Sequence, residues 1–280
     1  MKTLTPHDLN YCRKFIHEQA GIRLDERKDY LFESRLSVVL KEFGFDSMSE
    51  LVTSLQEPKS TPLRQRVIDA MTTNESSFFR DEHPFEALQK FVLPTLMEAR
   101  QSKRELSIWC AACSTGQEPY SLAVMLRDAV PELANWRVRI LATDLSNRVL
   151  AKARAGIYTD VEARRGMPDN LRERYFEPHG GDWRVSDQVR EMVEFREFNL
   201  INPWPALPTM DIAFLRNVLI YFDVETKTSV LGKMRNVLAP DGLLCLGAAE
   251  TVLGIRQDYR PARLGRATFY RPTCEPKTEC

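Results

Sequence analysis

The chain has 280 residues, 43% of them apolar and 28% charged, a soluble globular composition with enough length for one sizeable domain or two. Lysine plus arginine and aspartate plus glutamate both number 39, so no global charge directs the chain to nucleic acid or an anionic membrane. No apolar run approaches the ~20 residues of a membrane span, and Met1–Asn10 has no apolar signal-peptide core, which makes the cytoplasm the expected location.

Residues 1–72 read as a helical module. Leu9, Cys12, Phe15, Ile16 and Gln19 recur at helical spacing over Asp8–Ala20, and Gly21 is placed to end that helix. Asp25 is placed to cap a second helix that runs to about Phe43 and stops at Gly44. Two shorter pieces follow over Ser47–Leu55 and Pro62–Met71. Arg23, Arg27 and Arg35 would share one face of the second helix, with Lys28 beside them. Interleaved with Asp25, Glu26, Asp29 and Glu33, they read either as a solvated, salt-bridged face or as a docking surface for an acidic partner helix.

Residues 73–105 form a join. Thr73-Asn74-Glu75-Ser76-Ser77-Phe78-Phe79-Arg80 runs from polar through aromatic to basic, and reads as a linker plugging a core or as the lid of a site. A helix from about Pro84 to Arg100 follows, interrupted or kinked at Pro94.

From 106 to 272 strands and helices alternate. Leu106–Cys110, Arg137–Thr143, Met210–Leu215 and Leu243–Leu246 read as strands, Pro119–Ala129, Ser146–Ala155 and Val224–Leu238 as helices, and Arg263–Arg271 as a closing edge strand or hairpin. This alternation predicts a mostly parallel sheet with helices on both faces. The pattern breaks at about 165–200, where Tyr175-Phe176, Trp183–Val185 and Met192–Arg196 around Gly180-Gly181 predict a small antiparallel β insertion, suited to a partner or a lid. Residues 273–280 are expected to be a disordered tail.

The stretch Leu106–Val124 carries the chemistry. A strand leads into a small-residue loop and then a helix with Pro119 in its first turn, the way an open α/β sheet presents backbone to a cofactor. Asp144, at the end of the next strand, is placed to accept ribose hydroxyls. Gly116 is the single glycine of the loop, so the G-x-G-x-x-G fingerprint of a dinucleotide is absent. A phosphate-free nucleoside with a cationic sulfonium, S-adenosylmethionine, fits better, with Glu118 beside the loop. Cys110 and Cys113 form a C-x-x-C, which leaves a redox or metal role as a minor alternative. The histidines (His7, His17, His83, His179) lie far off in sequence, and no metal site is expected.

Four segments then resemble, in order and spacing, the chemotaxis receptor methyltransferases of the CheR type: Thr73–Arg80, Trp109–Ser121, Ala142–Ser146 and Leu215-Arg216-Asn217-Val218-Leu219-Ile220-Tyr221-Phe222. The likeness covers almost the whole chain. It implies an all-helical N-terminal domain that docks on the receptor, followed by a class I (Rossmann-like) S-adenosylmethionine-dependent methyltransferase domain with a β insertion. It implies methyl transfer to glutamate side chains on the cytoplasmic helices of bacterial chemoreceptors, giving methyl esters. It also implies cofactor contacts from Asn74, Ser76, Arg80, Glu118, Asp144, Asn199, Leu200, Arg216 and Asn217, with Arg80 and Tyr221 nearest the chemistry. The sequence departs from the family pattern at Ala111-Ala112-Cys113 and at Gln117, where a glutamate is usual, which would leave the pocket one charge less acidic. The His179–Asp182 turn is shorter than in members that tether to a receptor's C-terminal pentapeptide, which argues against tethering.

Other readings remain open from sequence. These are a nucleotide-dependent oxidoreductase on the same sheet, a receptor adaptor that binds the cofactor without turnover, and, more remotely, a nucleic-acid methyltransferase.

Overall fold

The computed structural model of the chain describes residues 4–57 and 60–273. The expected disordered tail therefore lies outside the described residues from 274 on, as do Met1–Thr3 of the segment searched for a signal peptide. The N-terminal unit comprises α1 (Pro6–Ala20), α2 (Tyr30–Phe43), α3 (Met48–Gln56) and α4 (Thr61–Met71). Local sequence sets their ends. Thr5 and Asp8 form a reciprocal capping box at the start of α1, Ser47 caps α3, and Gly21 and Gly44 end α1 and α2 in the left-handed conformation. Their apolar stripes, including Phe15, Ile16, Phe32, Leu36, Leu51 and Leu55, meet in a core of their own.

The second helix starts later than expected. Glu26–Lys28 is a single 3₁₀ turn, Asp25 makes no side-chain cap, and α2 begins at Tyr30. Arg23, Arg27, Lys28 and Arg35 therefore do not share a helical face. Arg35 also turns inward and donates to Met71 O (2.7 Å), Thr72 O (3.3 Å) and Thr73 Oγ1 (3.0 Å), which fastens the end of α4. Arg23, Arg27 and Lys28 are exposed.

A connecting arm holds α5 (His83–Ala87), a π-helical segment over Leu88–Val92, and α6 (Leu93–Arg100). The wide turn precedes Pro94, whose missing N–H and bulky ring the tighter α ladder cannot accommodate. Then come β1 (Glu105–Ala111), α7 (Gln117–Ala129), β2 (Arg137–Asp144), α8 (Asn147–Ala155), β3 (Ile157–Tyr158), α9 (Asp160–Arg164), α10 (Asp169–Tyr175), β4 (Phe176–His179), β5 (Asp182–Val185), α11 (Asp187–Arg190), β6 (Val193–Glu197), β7 (Met210–Leu215), α12 (Val224–Val237), β8 (Leu238–Leu246), β9 (Tyr259–Leu264) and β10 (Ala267–Pro272).

The main sheet has the order β6-β2-β1-β7-β8-β10-β9, with β10 antiparallel to both neighbours and the remaining pairs parallel. Alternation along β1 sends Leu106, Ile108 and Cys110 to one face and Trp109 and Ala111 to the other, so the strand is buried on both sides. The chain builds outward from β1 through β2 to β6 on one side and through β7 to β8 on the other. The order reverses between β1 and β7, and a crevice opens there at the strands' carboxyl ends.

The β insertion is smaller than expected. It consists of β3, β5 and β4, with the two-residue turn Gly180-Gly181 at φ 58 and 92, as a tight hairpin of matching twist requires. Residues 193–197, expected in that insertion, are instead the parallel edge strand of the main sheet, paired with β2 from Ile140↔Val193 to Asp144↔Glu197. Their alternation reflects an edge strand with one exposed side.

Candidate active site

The crevice at the β1/β7 reversal is closed into a cavity by the first unit and by the 73–80 arm. Its wall includes Ala20 and Ile22 from the end of α1, Thr72–Ser77 and Arg80, Ala112–Ser114 after β1, Glu118 on α7, and Asp144 after β2. Leu145, Phe198–Leu200, Arg216–Val218, Tyr221 and Phe222 complete it. All the residues expected to meet the cofactor or the chemistry line this single cavity: Asn74, Ser76, Arg80, Glu118, Asp144, Asn199, Leu200, Arg216, Asn217 and Tyr221. Arg23, Arg27, Lys28 and Arg35 do not.

The loop after β1 is wound tightly. Ala112 and Ser114 adopt φ 59 and 52, a left-handed conformation unusual for residues with a side chain. Asp144 holds Ser114 there. Its Oδ2 accepts from the Ser114 amide at 2.8 Å and its Oδ1 from the Ser146 amide at 3.0 Å, while Ser114 Oγ donates to Asn74 O at 3.0 Å. Burial raises the Asp144 carboxyl and these amides pull it back. Each oxygen keeps a second lone-pair direction for a ligand hydroxyl. Gly116 has a packing role. It is absent from the cavity wall, its amide donates to Cys113 O (3.1 Å), and at φ 93 an added Cβ would lie 2.9 Å from Ala153 Cβ. It allows the start of α7 to pack against α8.

Across the cavity, Arg216 is an almost fully buried cation, its side chain 1% exposed. Nη1 donates to Glu118 Oε2 (2.8 Å), and Nη2 donates to Arg80 O (2.8 Å) and Asp81 Oδ2 (2.7 Å). Phe79, Asp81 and Glu82, with φ 44, 67 and 44, form a strained run that these bonds secure. Arg80 rises from that run with Nη1 on Glu75 O at 3.1 Å. Desolvation raises the Glu118 carboxyl and Arg216 opposes the rise. Gln117, the departure from the family pattern, is buried outside the cavity wall with its amide oxygen on Thr115 Oγ1 (2.7 Å), so it does not alter the cavity's charge. Cys110 and Cys113 are buried, and burial pushes both thiols well up, so neither is a poised thiolate.

The donor set suits a cationic nucleoside. Among the described residues Glu118 Oε1 has no hydrogen-bond partner, and the anions Glu118 and Asp144 face the same cavity. Residues 74–267 match the family model for the CheR methyltransferase SAM binding domain, and residues 7–72 match that for the CheR methyltransferase all-alpha domain. The chain belongs to the CheR methyltransferase family. Chemotaxis protein methyltransferase Cher2 of Pseudomonas putida is 39% identical over 94% of this chain and 97% of its own length. Chemotaxis protein methyltransferase 1 of Pseudomonas aeruginosa is 40% identical over 94% and 97%, and chemotaxis protein methyltransferase 1 of Vibrio cholerae 39% over 97% and 99%. This CheR methyltransferase is an S-adenosylmethionine-dependent enzyme. No helix among its described residues is long and apolar enough to cross a membrane.

Three features were not drawn from the sequence. The helical unit supplies Ala20, Ile22 and Thr72 to the wall. Lys233 of α12 holds the 200–202 loop by donating to Leu200 O (2.6 Å), Ile201 O (3.1 Å) and Asn202 O (2.9 Å). Glu250, after β8, binds the loop that carries Asn217 and Tyr221. A lysine with no acidic neighbour in helical register would have been the available signal for Lys233.

Proposed function

We propose that this chain, acting in the cytoplasm, transfers the methyl group of S-adenosylmethionine to glutamate side chains on chemoreceptor cytoplasmic helices, forming methyl esters. The observation that carries the reading is the convergence of Glu118, Asp144, Arg80 and Tyr221, from four separate segments, on one cavity. When bound, the cofactor supplies an electrophilic methyl group on a cationic sulfur. Glu118, Asp144, Asn74, Ser76, Asn199, Leu200, Arg216 and Asn217 hold it. Asp144 accepts from hydroxyls, and Glu118 offers its open oxygen to a cation.

A glutamate acceptor is already ionised at neutral pH, with a reference pKa of ~4.3, so no general base is required of the chain. The protein's task is to orient one carboxylate oxygen and to exclude water from it. Arg80 grips the carboxylate by charge-assisted hydrogen bonds, and the Tyr221 phenol donates to one of its oxygens. The exposed cations Arg23, Arg27 and Lys28 meet the acidic flank of the receptor helix from the neighbouring unit. Arg35, with its guanidinium engaged on Met71 O, Thr72 O and Thr73 Oγ1, braces the end of α4 and takes no part in that surface. With only Gly180-Gly181 between β4 and β5, the β insertion lacks an extended loop to grip a C-terminal pentapeptide, and methylation should be indifferent to that peptide.

The test is transfer of a labelled methyl group to purified receptor cytoplasmic fragments, with and without their C-terminal peptide. Arg80→Ala is expected to lower transfer by on the order of 100-fold or more while the fold survives. Near wild-type methylation by that variant would sink the assignment. Asp144→Ala is expected to weaken S-adenosylhomocysteine binding by about tenfold or more, read by calorimetry.

A further inference from the structure

We infer that Glu250 is a positioning residue for the reaction, holding both Asn217 and Tyr221 in place through the backbone of the loop between them. Glu250 lies in the turn after β8, its amide on Gly247 O at 2.9 Å. Its carboxylate reaches across to the loop after β7. Oε2 accepts from the Asn217 amide (2.7 Å) and the Gly247 amide (2.7 Å), and Oε1 accepts from the Ile220 amide (3.2 Å). Among the described residues no lysine, arginine or histidine pairs with it, so the carboxylate serves backbone N–H groups alone.

Asn217 needs such an anchor. It sits at φ 59, a left-handed conformation that a residue with a side chain keeps only where its surroundings fix it. Gly247 makes room for the anchor, because an added Cβ would lie 2.7 Å from Glu250 Oε2 and 2.8 Å from Asn217 Nδ2. The loop closes in a tight turn, with the Tyr221 amide on Val218 O at 3.1 Å. Fixing the amides of Asn217 and Ile220 therefore fixes the direction in which Asn217 and Tyr221 enter the cavity. Burial raises the Glu118 carboxyl and the charge of Glu250 adds to that rise, so the anchor lies within the cavity's electrostatic field without lining it.

The inference rests on the assignment of Asn217 to the cofactor and Tyr221 to the acceptor, and two variants separate the arms. In Glu250→Gln a carboxamide oxygen can still accept from Asn217 and Gly247, but its NH₂ faces the Ile220 amide, donor against donor. Glu250→Gln should keep S-adenosylhomocysteine affinity within about threefold of wild type and lower kcat by about tenfold, whereas Glu250→Ala should weaken affinity by about tenfold and lower kcat on the order of 10–100-fold. Wild-type values in both readouts for both variants, or variants indistinguishable from each other in both, overturn the inference, as does a fall in melting temperature with neither readout changed. If wild type binds S-adenosylhomocysteine but esterifies no receptor fragment, the receptor reading fails, and the calorimetric contrast between the two variants still decides for or against Glu250.

Discussion

Arg216 shows how much one buried charge can organise. Its guanidinium joins α7, through Glu118, to the strained 79–82 run, through Arg80 O and Asp81, and its buried Nε has no hydrogen-bond partner among the described residues. Removing one member of a buried ion pair strands the other in a site that penalises charge. Arg216→Met should therefore cost about 3–5 kcal/mol of unfolding free energy. Without its cation the Glu118 carboxyl rises further, because burial is what raises it and Arg216 is what opposes that rise. A carboxyl raised above its unfolded value loses stability as pH climbs from the usual carboxylate range through the folded value, so the deficit should grow with pH. Urea unfolding across pH 4–8 reads this out, and adding Glu118→Gln should recover most of the loss at high pH. At this scale the sequence named Arg216 and Glu118 by family likeness, but not that they form a pair. They stand 98 positions apart in the chain, and only the sheet brings them together.

At the scale of elements, most of what was legible came from periodicity and end signals. The start of α3 at Ser47, the stops at Gly21 and Gly44, and the apolar run of β1 are local properties of the chain. β6 was misassigned because an edge strand with one wet side alternates like a hairpin strand, and its parallel partner β2 lies far back in sequence. The α2 start was misplaced because Asp25 has the residue type of a cap but makes no capping bond. Lys233 belongs to this scale too. From α12 it holds the 200–202 loop by three carbonyl oxygens, beside Asn199 and Leu200 in the cavity wall. Lys233→Met leaves those carbonyls without their donor and should weaken S-adenosylhomocysteine binding about tenfold with little loss of helix content. Unchanged affinity by calorimetry would count against the role.

For the molecule as a whole, the seam between the helical unit and the sheet is what completes the site. Gly21 packs so closely that an added Cβ would lie 2.7 Å from Ile201 Cγ2, Asn199 Nδ2 donates to Gln19 O (2.8 Å), and the Arg23 amide donates to Tyr221 O (2.8 Å). His17 Nε2 meets Asp223 Oδ2 at 2.7 Å, where Asp223 also caps α12. The Thr226 amide first, and then His17, lower the Asp223 carboxyl from 3.8 to about 2. Its folded value is depressed, so its contribution is complete above its unfolded value and is lost as pH falls through about 2. Asp223→Asn should therefore flatten the acid limb of stability between pH 4 and 2, measured by urea unfolding.

The sequence by itself determined the alternation of strands and helices, the helix stops at Gly21 and Gly44, and the residue types of a cationic nucleoside site, because these depend on neighbours a few positions apart. Only the tertiary structure decided that the helical unit walls the cavity, that Gly116 lets α7 pack against α8, and that Asp144 and Glu250 hold their loops by accepting backbone amides. Those facts are distances between residues brought together by the sheet, and no local pattern in the chain encodes them.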